Sequence, residues 1–565
     1  MIKKTAILIN CVVVAGLVSA QSVEQAKKEM YYTRWESAKE NLLPLIKRSD
    51  VSPETFYLLG EVYLEENKTD SAGMIFTDGI KIADTKKQPE KNYPLIYMGK
   101  AHWMLATGQK DEAVKLMNEV LDATKHKDAA ALLAAAKANI DSENGDAKWA
   151  LELLEQAAKR DKKNPAVYSA MGDAYRKLVD GSNAVLSYQK ALDVDPRYAE
   201  AWYKLGKVFK TQDNVSVYLD RFTKAFASDE NYTPALYELY NFYFYRGDVD
   251  NAKNFLERYI KNSDPSPRHD YMIADLDYIS KQYKDAIAKA NFILDRDKDS
   301  TQPRIYKLIA YSYEGLGDSA QALQYINQYF DKQDTAGYVA KDFELKARLL
   351  DRVQHDEEAA AQWYEKAYAA ETKEDTKQDY AKMIALLYKN AGDRLKEAEW
   401  RGTYYNSAKN PTNLDLYNWG LALYTGQAYQ QADSIFAQYE EKYPDQVYGY
   451  LWRAMCNALI DSTMELGLAV PHYEKLIEVA SKDSVANKSN LIKAYGYIGA
   501  YKANVEKNYP ESVAYFNKIL ELDPGNADAT RYVTILQKWI DEGKGVAGSQ
   551  QKESAGSEEE SSSAN

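Results

Sequence analysis

The chain has 565 residues, of which 28% are charged, and a formal net charge of -12. At this length it must consist of several domains or of one elongated array of repeats, because a single hydrophobic core does not grow to that size. The acidic balance argues against a nucleic acid as the partner, since a phosphate backbone is bound by clustered lysine and arginine.

Residues 1–20 have the composition of a secretory signal peptide. Two lysines precede an apolar run, and the run ends in small residues that suit cleavage between Ala20 and Gln21. The run is too short to span a bilayer, which takes roughly 20 apolar residues. We therefore expect an exported protein without a transmembrane segment, located in the periplasm of a Gram-negative bacterium, with secretion or attachment to the envelope as alternatives.

The body of the mature chain, residues 21–540, is predicted to be helical throughout. Apolar residues recur in it at three- and four-residue spacing, and no segment alternates as a strand would. Cys456 is its single cysteine, so no intramolecular disulfide forms and the stability must come from packing. Residues 541–565 hold almost nothing apolar and are rich in serine and glutamate, which predicts a disordered acidic tail.

One sequence motif, called the repeated phrase below, recurs at an interval of 34 residues. The matching pairs are Tyr168 and Trp202, Met171 and Leu205, Gly172 and Gly206, Tyr175 and Phe209, Tyr188 and Phe222, and Ala191 and Ala225. In the first copy, the residues up to Tyr175 lie on one face of a helix, and Ala184, Tyr188 and Ala191 lie on one face of a second. Gly172 and Ala184 are small enough to let the two helices approach closely.

A helical chain with this period resembles the tetratricopeptide-repeat family. The resemblance implies an all-α, right-handed α-solenoid of about fourteen helical hairpins over residues 21–540, because a single hairpin cannot bury its apolar face alone. Two positions depart from the phrase: Tyr218 stands where Ala184 stood, and Tyr240 stands where Gly172 stood. Large side chains at these places predict a splayed helix pair or a local register shift in residues 199–266.

The sequence offers no constellation of catalytic or metal-binding groups. None of its five histidines is paired with another at metal-ligand spacing, and no cysteine pair is present. His102 occupies the place of Tyr175, which favours a packing role. We expect no cofactor, no metal and no enzyme activity.

The partner surface is predicted on the first helix of each hairpin, because these helices line the concave side of such a solenoid. Counting from the repeated phrase assigns to this groove Arg176, Lys177, Tyr203, Lys207, Lys210, Tyr237, Asn241, Phe244, Tyr245 and Tyr311. Tyrosine and arginine are enriched where binding energy concentrates. The competing interpretation is that tyrosine is simply abundant, since the chain has 47 of them, many at packing positions.

These features favour a non-catalytic scaffold of the cell envelope that holds a protein or peptide in its concave groove. Some proteins with this repeat bind a terminal carboxylate with lysine, asparagine and arginine residues distributed over three adjacent copies. Tyr203, Lys207 and Glu238 occupy the matching places here, so that carboxylate site is not reproduced. The alternative is a carbohydrate-binding helical-repeat protein of the envelope, suggested by the many aromatic rings. The short connections between helices argue against it.

Overall fold

The computed structural model describes residues 22–334 and 337–544. These residues form helices joined by short turns, and no strand occurs among them, so the predicted all-α class is confirmed. In the described part of the chain, no helix has both the length and the apolar character that a membrane span requires. The predicted signal peptide, residues 1–20, and residues 545–565 of the predicted tail lie outside the described residues.

The chain divides into two compact units, one up to Thr301 and one from Gln302. The helices of the first unit are α1 (22–31), α2 (Trp35–Leu42), α3 (Pro53–Glu65), α4 (Thr69–Asp84), α5 (Pro89–Asn92), α6 (Pro94–Ala106), α7 (Lys110–Ala123), α8 (Ala129–Asp141), α9 (Ala147–Arg160), α10 (Pro165–Lys177), α11 (Gly181–Val194), α12 (Ala199–Thr211), α13 (Val215–Ser228), α14 (Thr233–Tyr245), α15 (Val249–Asn262), α16 (Pro267–Ile279) and α17 (Tyr283–Asp297).

The helices of the second unit are α18 (Arg304–Leu316), α19 (Ser319–Lys332), α20 (Ala340–Leu349), α21 (Glu357–Ala370), α22 (Glu374–Ala391), α23 (Arg394–Ser407), α24 (Asn413–Thr425), α25 (Tyr429–Lys442), α26 (Val447–Ile460), α27 (Val470–Ala480), α28 (Lys488–Asn504), α29 (Tyr509–Leu522) and α30 (Ala527–Asp541). Apart from the short α5 and the terminal α30, the helices of both units pair into hairpins. The described residues thereby contain fourteen hairpins, as the sequence predicts.

Helix boundaries follow local sequence signals. The Asn164 side chain accepts a hydrogen bond from the Ala166 N–H and so caps α10, where Pro165 is the first helical residue. Asp180 caps α11 in the same way, through the Asn183 N–H. These side chains satisfy backbone donors that have no partner within the helix, so both helices of this hairpin have a fixed start.

Neighbouring hairpins interlock through glycine and aromatic residues. The buried Phe76 ring of α4 lies against Gly60 of its own hairpin and against Gly99 of the next one, and a Cβ at either glycine would overlap the ring. The same close approach joins Gly172 to Tyr188 and Gly206 to Phe222. Each hairpin thus completes the core of its neighbour, which is the packing that the repeated phrase predicts.

The repeat register is unbroken through residues 199–266. Helices α10, α12, α14 and α16 begin at Pro165, Ala199, Thr233 and Pro267, which lie at equal spacing in the sequence. Tyr240 is buried where glycine would stand, and its partner position holds Leu256 in place of Tyr188 or Phe222. A large and a small residue have therefore exchanged places between the two helices, so no register shift is needed to accommodate Tyr240.

The turn between α1 and α2 docks against distant residues of the first unit. Helix α2 has no capping side chain of its own, and the Asp264 carboxylate accepts hydrogen bonds from the Glu36 N–H (2.8 Å) and the Ser37 N–H (3.2 Å). The Tyr32 hydroxyl donates to Asp229 at 2.8 Å, and the Tyr31 ring lies 5.1 Å from that of Tyr232. The Tyr31 ring also lies 6.0 Å from that of Tyr198. This turn thus contacts the residues that precede α12, α14 and α16 and connects hairpins far apart in sequence.

Candidate functional site

A cavity of about 370 Å³ lies between α12, α13 and α14. It brings together four of the predicted groove residues, Lys210 from α12 and Tyr237, Asn241 and Tyr245 from α14. Tyr245 is 82% exposed at its edge. Tyr218, the residue that departs from the repeated phrase, also lines the cavity, so the opening forms where a large ring replaces a small side chain.

Two lysines of α12 converge on one buried carboxylate beside this cavity. Glu238 of α14 is 5% exposed and lies 2.9 Å from the Lys207 ammonium and 2.6 Å from the Lys210 ammonium. Burial alone would raise the pKa of Glu238, but hydrogen bonds from Lys210 and Lys207 outweigh it and hold the pKa below its ordinary value. Glu238 therefore stays ionised and fixes both lysines at the edge of the cavity.

Two arginines complete the arrangement, and sequence reasoning did not find them. Arg268 at the start of α16 lies over the Tyr237 ring at 4.8 Å and donates a hydrogen bond to the Tyr237 hydroxyl. Arg246, just after α14, lies 4.6 Å from the centre of the Phe242 ring. Both contacts are cation–π interactions. The sequence shows only that Arg246 follows the tyrosine-rich helix α14 and that Arg268 begins the next hairpin. Neither position predicts which ring the arginine contacts.

We name the surface formed by these side chains the aromatic–basic patch. Its members are Lys207, Lys210, Tyr237, Asn241, Phe242, Tyr245, Arg246 and Arg268, arranged around Glu238. Four cations and one carboxylate leave the patch positive on an acidic chain. Its rings and cations together can hold an acidic group and an apolar side chain at the same time.

The other predicted groove residues are placed differently. Lys177 donates to the carbonyl oxygens of Asn139 (2.8 Å) and Ile140 (3.0 Å) at the end of α8. Tyr203 packs with its ring centre 5.8 Å from Tyr232, and burial raises the pKa of Tyr203 to about 12.

Three further predicted residues also lie away from the cavity. Arg176 is exposed at the end of α10, and Phe244 packs 5.5 Å from Tyr240. Tyr311 belongs to the second unit, where its hydroxyl donates to the carbonyl oxygen of Lys341 and to Asp342. The structure thus brings Lys207 together with the four cavity-lining residues and leaves the rest of the set apart from them.

Ion pairs also occur on the helices before the patch. Lys204 of α12 lies 2.5 Å from Asp173 of α10 and also pairs with Glu200. Burial would raise the pKa of Glu200, but the charge of Lys204 lowers it to about 2. His102, predicted to pack, is buried with its Nδ1 2.9 Å from Glu61.

No group of three or more histidine, cysteine, aspartate or glutamate side chains suited to a metal ion occurs within residues 22–334 and 337–544. Asp270, which follows His269 in the sequence, pairs with Lys289 at 3.2 Å. The His269 Nε2 lies 3.1 Å from the Ser263 hydroxyl. These two residues therefore have separate partners.

Stacked helical hairpins define the α-solenoid class of proteins, and the aromatic–basic patch gives this one a candidate interaction surface. Two family models match the sequence, one described as a TPR repeat at residues 182–213 and one as a tetratricopeptide repeat at residues 416–445. The chain belongs to the tetratricopeptide-repeat family. This fold generally serves as a non-catalytic scaffold for proteins or peptides.

Solved structures of this family resemble the chain in part. The C-terminal part of a TPR repeat-containing protein from Cytophaga hutchinsonii is 30% identical, with a TM-score of 0.29 and coverage of 46% of this chain and 98% of that one. A tetratricopeptide repeat protein from Parabacteroides merdae is 18% identical, with a TM-score of 0.32 and coverage of 45% and 98%. The protein YrrB, described as having an unusual peptide-binding site, is 17% identical, with a TM-score of 0.30 and coverage of 32% and 93%. No curated protein matches the sequence.

Proposed function

We propose that this protein is a non-catalytic scaffold of the cell envelope that binds a protein or peptide partner at the aromatic–basic patch. The observation that carries the proposal is the cavity between α12, α13 and α14, with Tyr245 and Lys210 exposed at its edge. The excess of cations selects an acidic partner. The cavity and its rings accept an apolar or aromatic side chain of that partner.

Peptide binding by the full chain tests this proposal. Arrays of extended peptides that pair acidic residues with one aromatic residue should bind, and their basic counterparts should not. Tyr245→Ala should weaken binding about tenfold, because a rigid aromatic contact at a binding surface contributes about 1–2 kcal/mol. Lys210→Ala should weaken binding and make it less sensitive to salt, since screening acts on exposed charges.

Matched variants outside the patch provide the control. Tyr448 is 49% exposed in the second unit, and Lys115 is 79% exposed on α7. Tyr448→Ala and Lys115→Ala should leave peptide binding unchanged. Equal losses in patch and control variants, or unaltered binding by Tyr245→Ala and Lys210→Ala, would remove the patch from the proposal.

Export to the periplasm is the second part of the proposal, and the leader-like composition of residues 1–20 supports it. Expression of the full-length chain in a Gram-negative host should yield a mature protein whose N-terminal sequence starts at Gln21. Osmotic-shock extracts should contain it. A chain that retains Met1 and stays with the cytoplasmic fraction would contradict export.

A further inference from the structure

A second, chemically different groove lies between α23, α24 and α25 in the second unit. Its volume is about 660 Å³, which is within the usual range for ligand sites. Its lining holds one carboxylate and neither lysine nor arginine, and its other polar members are the uncharged Thr403, Asn406, Gln431 and Ser434. The groove therefore has no means of neutralising an anionic ligand.

The floor of this groove is apolar and aromatic. Gly402 follows Ala398 at the spacing that separates Tyr188 from Ala184, so a glycine stands where other hairpins place a ring. The Trp419 indole of α24 lies directly against Gly402, and a Cβ there would approach the ring to 2.8 Å. The half-buried Trp419 and the buried Ile435 give this side of the groove its apolar surface.

The rim of the groove carries polar side chains with free hydrogen-bonding capacity. Glu399 and Asn406 of α23 and Gln431 of α25 are exposed, and within the described residues their side chains make no hydrogen bond or ion pair. The two amides each offer donors and an acceptor, and the carboxylate offers acceptors alone. The indole N–H of Trp419 likewise has no hydrogen-bond acceptor among the described residues.

We propose that this groove binds a neutral oligosaccharide. A sugar ring presents an apolar C–H face that packs on an indole, and its hydroxyl groups both donate and accept hydrogen bonds, as the rim amides do. The Glu399 carboxylate accepts from hydroxyl groups and repels the carboxylates of acidic sugars. The site is separate from the aromatic–basic patch and does not depend on the proposed function.

Binding of defined sugars to the full chain tests this inference. The probes are neutral hexasaccharides of glucose, mannose and xylose, with hexagalacturonate as the acidic counterpart and spermidine as a cationic one, measured by titration calorimetry. At least one neutral hexasaccharide should bind, and hexagalacturonate should bind more weakly or not at all. Glu399→Gln should reduce the difference in affinity between the neutral hexasaccharide and hexagalacturonate. Spermidine binding without saccharide binding, or no saccharide binding at all, would overturn the inference.

Variants at the rim and in the floor of the groove locate the sugar, and the rim residue Gln431 is exposed, so its replacement leaves the packing of the helices intact. Gln431→Ala should weaken binding about fivefold, since a hydrogen bond between uncharged groups contributes about 1 kcal/mol. Trp419→Leu should weaken it about tenfold, in line with the contribution of an aromatic contact. Gln438 is exposed on α25, the helix of Gln431, but lies outside the groove, so Gln438→Ala should leave the affinity for the sugar unchanged. Equal affinity in Gln431→Ala, Trp419→Leu and the unaltered chain would place the sugar elsewhere and refute this site.

Discussion

Replacing Tyr240 by glycine is expected to lower the free energy of unfolding by about 3–5 kcal/mol, although it restores the residue found at this place in other hairpins. Tyr240 is 3% exposed and packs with Leu256, which is 2% exposed. Removing the ring leaves a cavity that leucine cannot fill, and glycine inside a helix costs about 1 kcal/mol more. Urea denaturation followed by circular dichroism measures the loss.

Adding Leu256→Phe to the Tyr240→Gly variant should recover a large part of that loss. The pair then matches Gly206 and Phe222 of the preceding hairpin, which pack in close contact. Leu256→Phe alone should destabilise the chain by about 1–3 kcal/mol, because an added ring overpacks a filled core. The double-mutant cycle should therefore show strong favourable coupling. Simple additivity of the two effects would contradict the exchange of large and small residues described here.

The repeated phrase explains why the fold was predictable from sequence. The phrase around Tyr168 and Tyr188 contains the residues that set helix spacing, and both lie within a single hairpin. Local spacing therefore carried most of the architecture, including the number of hairpins. At Tyr240 the phrase changes, and only the structure shows that Leu256 compensates, because the two residues lie on different helices and neither alone indicates its partner.

The candidate site was predictable only in part, for a different reason. Counting along α12 and α14 found Lys210, Tyr237 and Tyr245 because helical periodicity fixes which face a residue occupies. Arg268 comes from the next hairpin, and its contact with Tyr237 depends on how α16 packs on α14. Likewise, Lys177 satisfies the last carbonyl groups of α8, a role that its position on α10 does not reveal. Contacts between hairpins are set by packing that a one-dimensional pattern does not encode.

The docked turn between α1 and α2 shows the same limit over a longer distance. Asp264 caps α2 although the two are separated by more than half of the first unit's sequence. Thr233 Oγ1 likewise donates to the distant carbonyl oxygen of Tyr32. Nothing in the repeated phrase predicts either contact, since both depend on how the successive hairpins curve. They bring the start of the unit beside Tyr232 and Tyr203, next to the helices that carry the aromatic–basic patch.

Replacing Asp342 by alanine is expected to destabilise the second unit by about 3 kcal/mol. Asp342 is fully buried at the start of α20, where it accepts from the Val339 N–H and from the hydroxyl of Tyr329 at 3.2 Å. Its carboxylate also lies 2.7 Å from the Lys307 ammonium. Alanine removes the cap of α20 and leaves these donors without their acceptor, so the loss exceeds that of a surface ion pair.

The matched variant Asp342→Asn separates the charge from the hydrogen bonds, because the amide oxygen still accepts at the cap while the ion pair with Lys307 is lost. We expect its destabilisation to be smaller than that of Asp342→Ala in thermal unfolding of the full chain.

Tyr311→Phe tests whether Tyr311 is a structural residue or, as its helical position predicted, a groove residue. The Tyr311 hydroxyl donates to Asp342 at 3.2 Å, so the variant should lose stability and leave peptide binding unchanged. Weaker peptide binding at unchanged stability would instead return Tyr311 to the partner surface that its helical position predicted.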